Sequence, residues 1–94
     1  MEEHYAEIKS IRQVADYVEM SYEYFLRSFR AVAGISPKKY LDTIRVQKAH
    51  EYLLMTQYKC YSIARLVGLE DDNALYRLFK RMGYNNPGHY RSGI

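Results

Sequence analysis

The 94 residues predict an all-α chain, two copies of a helix pair joined by one long helix. Three observations carry that expectation. Apolar residues recur at three- and four-residue spacing along most of the chain, as helices with one buried face require. A set of residues repeats at offsets of 49 and 50 positions. Between the copies, Ser36-Pro37 opens a stretch long enough for a continuous helix to about Met55, roughly 28 Å at 1.5 Å per residue.

The elements follow in order. Ile8, Ile11, Ala15 and Val18 form the first stripe, and Ser10 with Gln13 fits a capping box, in which a Ser hydroxyl serves a free amide three residues on. Phe25, Phe29 and Val32 form the second stripe, with Ser21 as N-cap and Gly34 as the stop. After the long helix, a short one around Ser62–Val67 ends at Gly68, and another carries Leu75, Phe79 and Met82 behind an Asp71 or Asp72 cap. No strand-length alternation interrupts this series. The boundaries are a first subdomain over 1–36, a linker helix over 37–56 and a second subdomain over 57–94.

In the repeat, Ala15, Val18 and Met20 return as Ala64, Val67 and Leu69. Phe25, Arg27, Phe29, Arg30, Pro37 and Tyr40 return as Leu75, Arg77, Phe79, Lys80, Pro87 and Tyr90. The offset changes by one in the turn between helices, where an added residue costs least. Each copy reads as a helix-turn-helix. A small residue, Ala15 or Ala64, lets the second helix cross closely over the first, and Phe25 or Leu75 plugs the angle between them.

That packing leaves one face of each second helix free to enter a DNA major groove. The face of the first copy carries Ser21 at its start, then Tyr22, Glu23, Leu26, Arg27 and Arg30; that of the second carries Asp72, Asn73, Tyr76, Arg77 and Lys80. Arg can donate two hydrogen bonds to guanine, Asn can pair with adenine, and Glu can accept from the cytosine amino group. Packing explains a repeated Phe or Ala; it does not explain an outward arginine at matching positions 27 and 77. Lys38 and Lys39, beside the start of the long helix, are candidate phosphate contacts. The acidic run Glu70-Asp71-Asp72 suits a helix start, with Asp71 as the cap. Tyr22 and Tyr76 are expected to face DNA, whereas Tyr17, Tyr40, Tyr52 and Tyr90 are expected to pack their rings. Successive major-groove segments recur about 34 Å apart on one face of the duplex, so one chain could read two of them. The site would then be asymmetric.

Charge fits this reading. Residues 1–23 balance at −4, and the remaining 71 residues at +7, within a net +3. A basic body with a pI near 9.0 suits nucleic acid or an acidic protein. The rival reading is a helical protein-interaction module that binds an acidic partner.

Other classes find little support. The longest apolar run is four residues, Tyr52 to Met55, so a spanning helix is excluded, and the acidic start is no signal peptide. One cysteine, Cys60, allows no internal disulfide and points to a reducing, cytoplasmic setting. His4, His50 and His89 lie far apart, with no ligand spacing for a metal. Cys60 has no histidine within local reach, and neither a phosphate loop nor a nucleophile elbow occurs. No enzyme, cofactor or membrane role is expected.

Taken together, the residues from Ile8 to Arg91 resemble the DNA-binding domain of AraC/XylS-type transcription regulators. The resemblance runs through Ala15, Ser21, Tyr24, Phe25, Arg27, Phe29, Gly34-Ile35-Ser36-Pro37, Tyr40-Leu41, Arg45, Ala49 and Leu53-Leu54. It is most diagnostic at Ile63-Ala64, Gly68, Asp71, Arg77, Phe79-Lys80 and Pro87 to Arg91. It implies a homeodomain-like, AraC-type fold of seven helices in two helix-turn-helix subdomains. It also implies promoter binding, most often activation through RNA polymerase, by a domain that is monomeric when isolated, with Arg45 and Arg91 structural.

Four departures are specific to this chain. The family's first helix is short or missing, as in an excised or trimmed domain. Glu19 stands where the first turn favours Gly. Gly83 comes one place early, putting Tyr84 opposite Gly34, and Ala74-Leu75 is a smaller plug than the usual aromatic pair.

Overall fold

The computed structural model describes Met1 and residues 3–91. Glu2, at the expected truncated start, and residues 92–94, the expected end of the second subdomain, lie outside the described residues. The described chain holds five α-helices: α1 (Ile11–Tyr17), α2 (Tyr22–Ala33), α3 (Pro37–Met55), α4 (Cys60–Leu66) and α5 (Asp72–Arg81). Two 3-10 turns flank them, Tyr5–Glu7 and Pro87–Tyr90. No strand occurs among the described residues.

The caps account for most helix starts. Ser10, Ser21 and Ser36 accept hydrogen bonds from the amides of Gln13, Tyr24 and Lys39, and Asp71 accepts from Ala74 at 2.9 Å. Gln13 reaches back to the amide of Lys9 rather than Ser10, so the predicted capping box closes one residue early. α4 begins two residues before the expected Ser62, at Cys60, with no side-chain cap on its Lys59 N-cap. No sequence signal marks that start.

The ends of α1 and α4 are the same turn. The amides of Met20 and Leu69 bond the carbonyls of Ala15 and Ala64, five residues back, and those of Glu19 and Gly68 bond Asp16 and Arg65. This is a Schellman motif, whose C′ residue must be left-handed. Gly68 sits there at φ +91°, and Glu19 at φ +57°, the only non-glycine with positive φ among the described residues. α5 ends in a third such turn at Gly83, which explains why its glycine falls one place early: α5 spans 10 residues against 12 for α2.

Two cores result. The first gathers Ile8, Ile11, Ala15, Phe25 and Leu41; the second gathers Val46, Ala49, Leu53, Ile63, Ala64, Val67, Leu75, Leu78 and Phe79. α3 therefore contributes Leu41 to one core and its later turns to the other. Ala15 and Ala64 are sealed at the two helix crossings, as the repeat predicts. Leu75 is fully buried despite being a smaller plug than Phe25.

Three expected packing residues are corrected. Val18 is exposed, because α1 has only two turns and ends before it. Val32 is 91% exposed, since Phe29 turns inward onto Tyr40 (ring centroids 5.3 Å apart) while the last turn of α2 extends beyond the core. Tyr17, the last residue of α1, is 88% exposed and packs no ring into either core. Tyr40, Tyr52 and Tyr90 are half-buried as expected, and the Tyr90 hydroxyl accepts from the amide of Asn85.

Two arginines tie the frame together. Arg91 donates to the carbonyl of Leu53, which the end of α3 would leave open, and at 3.5 Å to that of Tyr52, which also accepts from Thr56. Buried Arg45 donates through Nη2 to the carbonyls of Tyr5 and Ile8. Burial lowers its pKa from the ordinary value, while Asp42 and the Tyr5 hydroxyl oppose that shift. The molecule measures 47 × 22 × 20 Å, and no helix among the described residues is long and apolar enough to cross a membrane.

Candidate nucleic-acid interface

α2 and α5 each present one face away from their core. A Ser N-cap and an acidic residue in the first turn start α2, which suits the positive end of a helix dipole. Along its outer face Glu23, Arg27 and Arg30 are exposed. Phe25 lies on the opposite face and holds the helix against α1. On α5, Asn73, Tyr76, Arg77 and Lys80 are exposed, while Leu75, Leu78 and Phe79 anchor the inner face.

Several predicted contacts are placed differently. Tyr22 is half-buried against the first core, with the Arg12 guanidinium 4.2 Å from its ring centroid, so it is a partly covered cation–π partner rather than a free ring. Leu26 is also half-buried on that core, because its position turns inward beside Phe25. Ser21 is exposed, but its hydroxyl is already the acceptor in the cap. Asp72 is half-buried in the first turn of α5. Lys38 holds its ammonium 2.8 Å from Asp42 Oδ1, so it enters any phosphate contact from an existing ion pair. Lys39 is exposed.

Beside α5 lies an open cleft of about 330 Å³ lined by Tyr76, Arg77, Lys80, Tyr84 and Asn86. Two cations, two phenols and an amide can serve a phosphate or a base edge. Sequence reasoning missed Tyr84 and Asn86. The signal was the early Gly83: its left-handed turn folds Tyr84 back so that its amide bonds the carbonyl of Phe79 at 2.9 Å. Desolvation, then the neighbouring Cys60 thiol and Asp72, raise the Tyr76 pKa above its ordinary 10.0.

Two helix pairs on one shared helix, each with a charged outer face on its second member, define a tandem helix-turn-helix domain. A model described as "Helix-turn-helix domain" matches residues 14–93. The chain belongs to this family, in its AraC type. It is 30% identical over its whole length to the raffinose operon transcriptional regulatory protein RafR of Pediococcus pentosaceus, covering 34% of that protein. It is 32% identical over 99% of its length to the transcriptional activator RhaS of Enterobacter sp. (strain 638), covering 34% of it. The chain thus spans about a third of the length of the curated relatives it matches. Among solved structures, it superposes with a TM-score of 0.88 and 31% identity on the DNA-binding domain of the global transcriptional factor AdpA in complex with a target DNA, covering 97% of this chain and 82% of that one.

Proposed function

We propose that this chain binds double-stranded DNA sequence-specifically, placing α2 and α5 in successive major-groove segments on one face of the duplex. The carrying observation is the pair of exposed arginines, Arg27 and Arg77, at matching positions of the two second helices. The long dimension of 47 Å supports the reading, because it exceeds the roughly 34 Å between major-groove faces. Base edges fall to Glu23, Arg27 and Arg30 on α2, and to Asn73, Tyr76, Arg77 and Lys80 on α5, with Asp72 beside them. Ser21, Tyr22 and Leu26 act mainly by holding α2 in place. Lys39 contacts phosphate, and Lys38 does so with a second ammonium N–H while it keeps its ion pair with Asp42.

The division of labour in this reading is a first unit over 1–36, a bridging helix over 37–56 and a second unit over 57–94. The domain binds as a monomer, in the cytoplasm, and a longer protein that carries it activates transcription through RNA polymerase. The activator RhaS among its relatives supports that output.

Selection from a random duplex library on the immobilised domain tests the reading. Two short, unlike blocks about one helical turn apart are expected. Arg27→Ala should lose at least about 1 kcal/mol on the preferred site and relax base choice there. Affinity should fall with salt at a log–log slope of about −4 for roughly five phosphate contacts. Wild-type binding by both Arg27→Ala and Arg77→Ala would refute the assignment of these faces.

A further inference from the structure

α3 is not the only tie between the two reading helices. On α3, Asp42 is 6% exposed. Its Oδ1 lies 2.8 Å from Lys38 Nζ on the same helix, and its Oδ2 lies 3.3 Å from Arg81 Nε at the end of α5. Among the described residues, the Asp42–Arg81 pair is the salt bridge that joins two different helices. Less than one turn further along α3, Arg45 holds the carbonyls of Tyr5 and Ile8. Tyr5 packs at the edge of both cores. The backbone of Ala6 lies so close to Gly68 that a Cβ there would come within 2.7 Å of the Ala6 carbonyl oxygen. Neighbouring positions of α3 therefore fasten both the end of α5 and the N-terminal strap.

A buried carboxylate with two charge-assisted bonds is held to one geometry, because moving either partner leaves charge uncompensated in a poorly solvated place. Arg81 is half-exposed, so it can be replaced while Asp42 keeps Lys38.

We propose that Asp42 and Arg81 are a positioning pair that fixes the tilt of α5 on α3, and thereby sets the base-pair spacing the domain accepts between its two DNA blocks. This inference rests on the two-block reading above. Neither residue need touch a base. Adding one base pair turns the second block by roughly 35° and shifts it by about 3.4 Å. Rigidly held helices cannot follow that displacement, whereas a hinged pair can.

The test uses the full chain and duplexes carrying both selected blocks at the preferred spacing, or with one base pair added or removed, beside single-block duplexes. Wild type should prefer its own spacing by about tenfold or more. Arg81→Gln should reduce that preference to about threefold or less with single-block affinity unchanged, and Arg81→Lys should restore most of it. Undiminished spacing preference in Arg81→Gln would overturn the proposal.

A second measurement needs no DNA. Spin labels at exposed Val32 on α2 and exposed Asn73 on α5, in a Cys60→Ser background, should give a narrow distance distribution that broadens in Arg81→Gln. Equal widths would overturn the clamp itself. A wild type indifferent to spacing would instead overturn the two-block reading, and the spacing claim with it, while the label distances still decide the clamp.

Discussion

Glu19 and Gly68 occupy the same turn in the two copies, and substitutions there should act with opposite signs. At φ +57° Glu19 carries a Cβ in left-handed backbone, which costs an L-residue about 1–2 kcal/mol. Glu19→Gly removes that strain but gives the unfolded chain extra freedom worth about 0.5–1 kcal/mol. The net expectation is a gain of about 0.5–1 kcal/mol, or roughly 2–8 °C in thermal midpoint for a domain of this size. Glu19→Ala truncates the exposed side chain but keeps the Cβ and so the left-handed strain, and should gain little. At the second copy, Gly68→Ala introduces the same strain and also drives a Cβ to 2.7 Å from the Ala6 carbonyl oxygen and 2.9 Å from its Cα, both backbone atoms. Strain and overpacking together should cost about 2–5 kcal/mol. Urea and thermal unfolding followed by circular dichroism measure all three. If Glu19→Gly is no more stable than Glu19→Ala, backbone conformation is not what this turn asks of its residue, and the argument fails.

Three further outcomes follow from named contacts. Asp71→Ala removes the α5 cap and should cost about 1 kcal/mol, with Asp71→Asn keeping most of it, as read from unfolding midpoints. Val32→Lys should change stability by less than about 0.5 kcal/mol, because that side chain is solvated, whereas Phe25→Ala should cost about 3–5 kcal/mol or unfold the first unit. Burial first, then Tyr52 and Glu51, raise the Tyr5 pKa above 10.0, against the opposing pull of Arg45. The unfolded chain therefore loses that proton first. The stability tied to it is whole below about pH 10 and falls as pH rises through the folded value. In urea titrations across that range, Tyr5→Phe should show a shallower alkaline decline.

The helices were legible wherever a cap or stop was chemical. Ser10, Ser21, Ser36-Pro37, Gly34 and Asp71 all do locally what their types suggest. α4 starts two residues before the expected Ser62 because Lys59 offers no capping oxygen to mark it, and its start is fixed by the packing of Ile63 and Ala64 instead. Periodicity placed Val18 and Val32 in the core because it counts faces and does not know where a helix outruns its neighbours. At the interface, the arginines on the outer faces followed from the repeat. Tyr22 and Leu26 did not, since the partners that half-cover them, Arg12 and the first core, depend on the angle between α1 and α2. Asp42–Arg81 joins residues 39 positions apart, and no local pattern in the sequence announces it.

The N-terminal strap also gives the chain an order of assembly. Tyr5 and Ala6 precede both helix pairs, but the turn that receives Ala6 is formed at Gly68, 62 positions later. The first core needs nothing beyond Leu41, so α1 and α2 can settle on the start of α3 while the second half is still being made. Arg45 can take the carbonyls of Tyr5 and Ile8 as soon as α3 exists, but the contact of Ala6 with the Gly68 turn forms only when α4 is complete, and it must then close a long loop, a slow kind of contact. A nascent chain stalled before residue 68 would hold one folded half with the Ala6 contact still open.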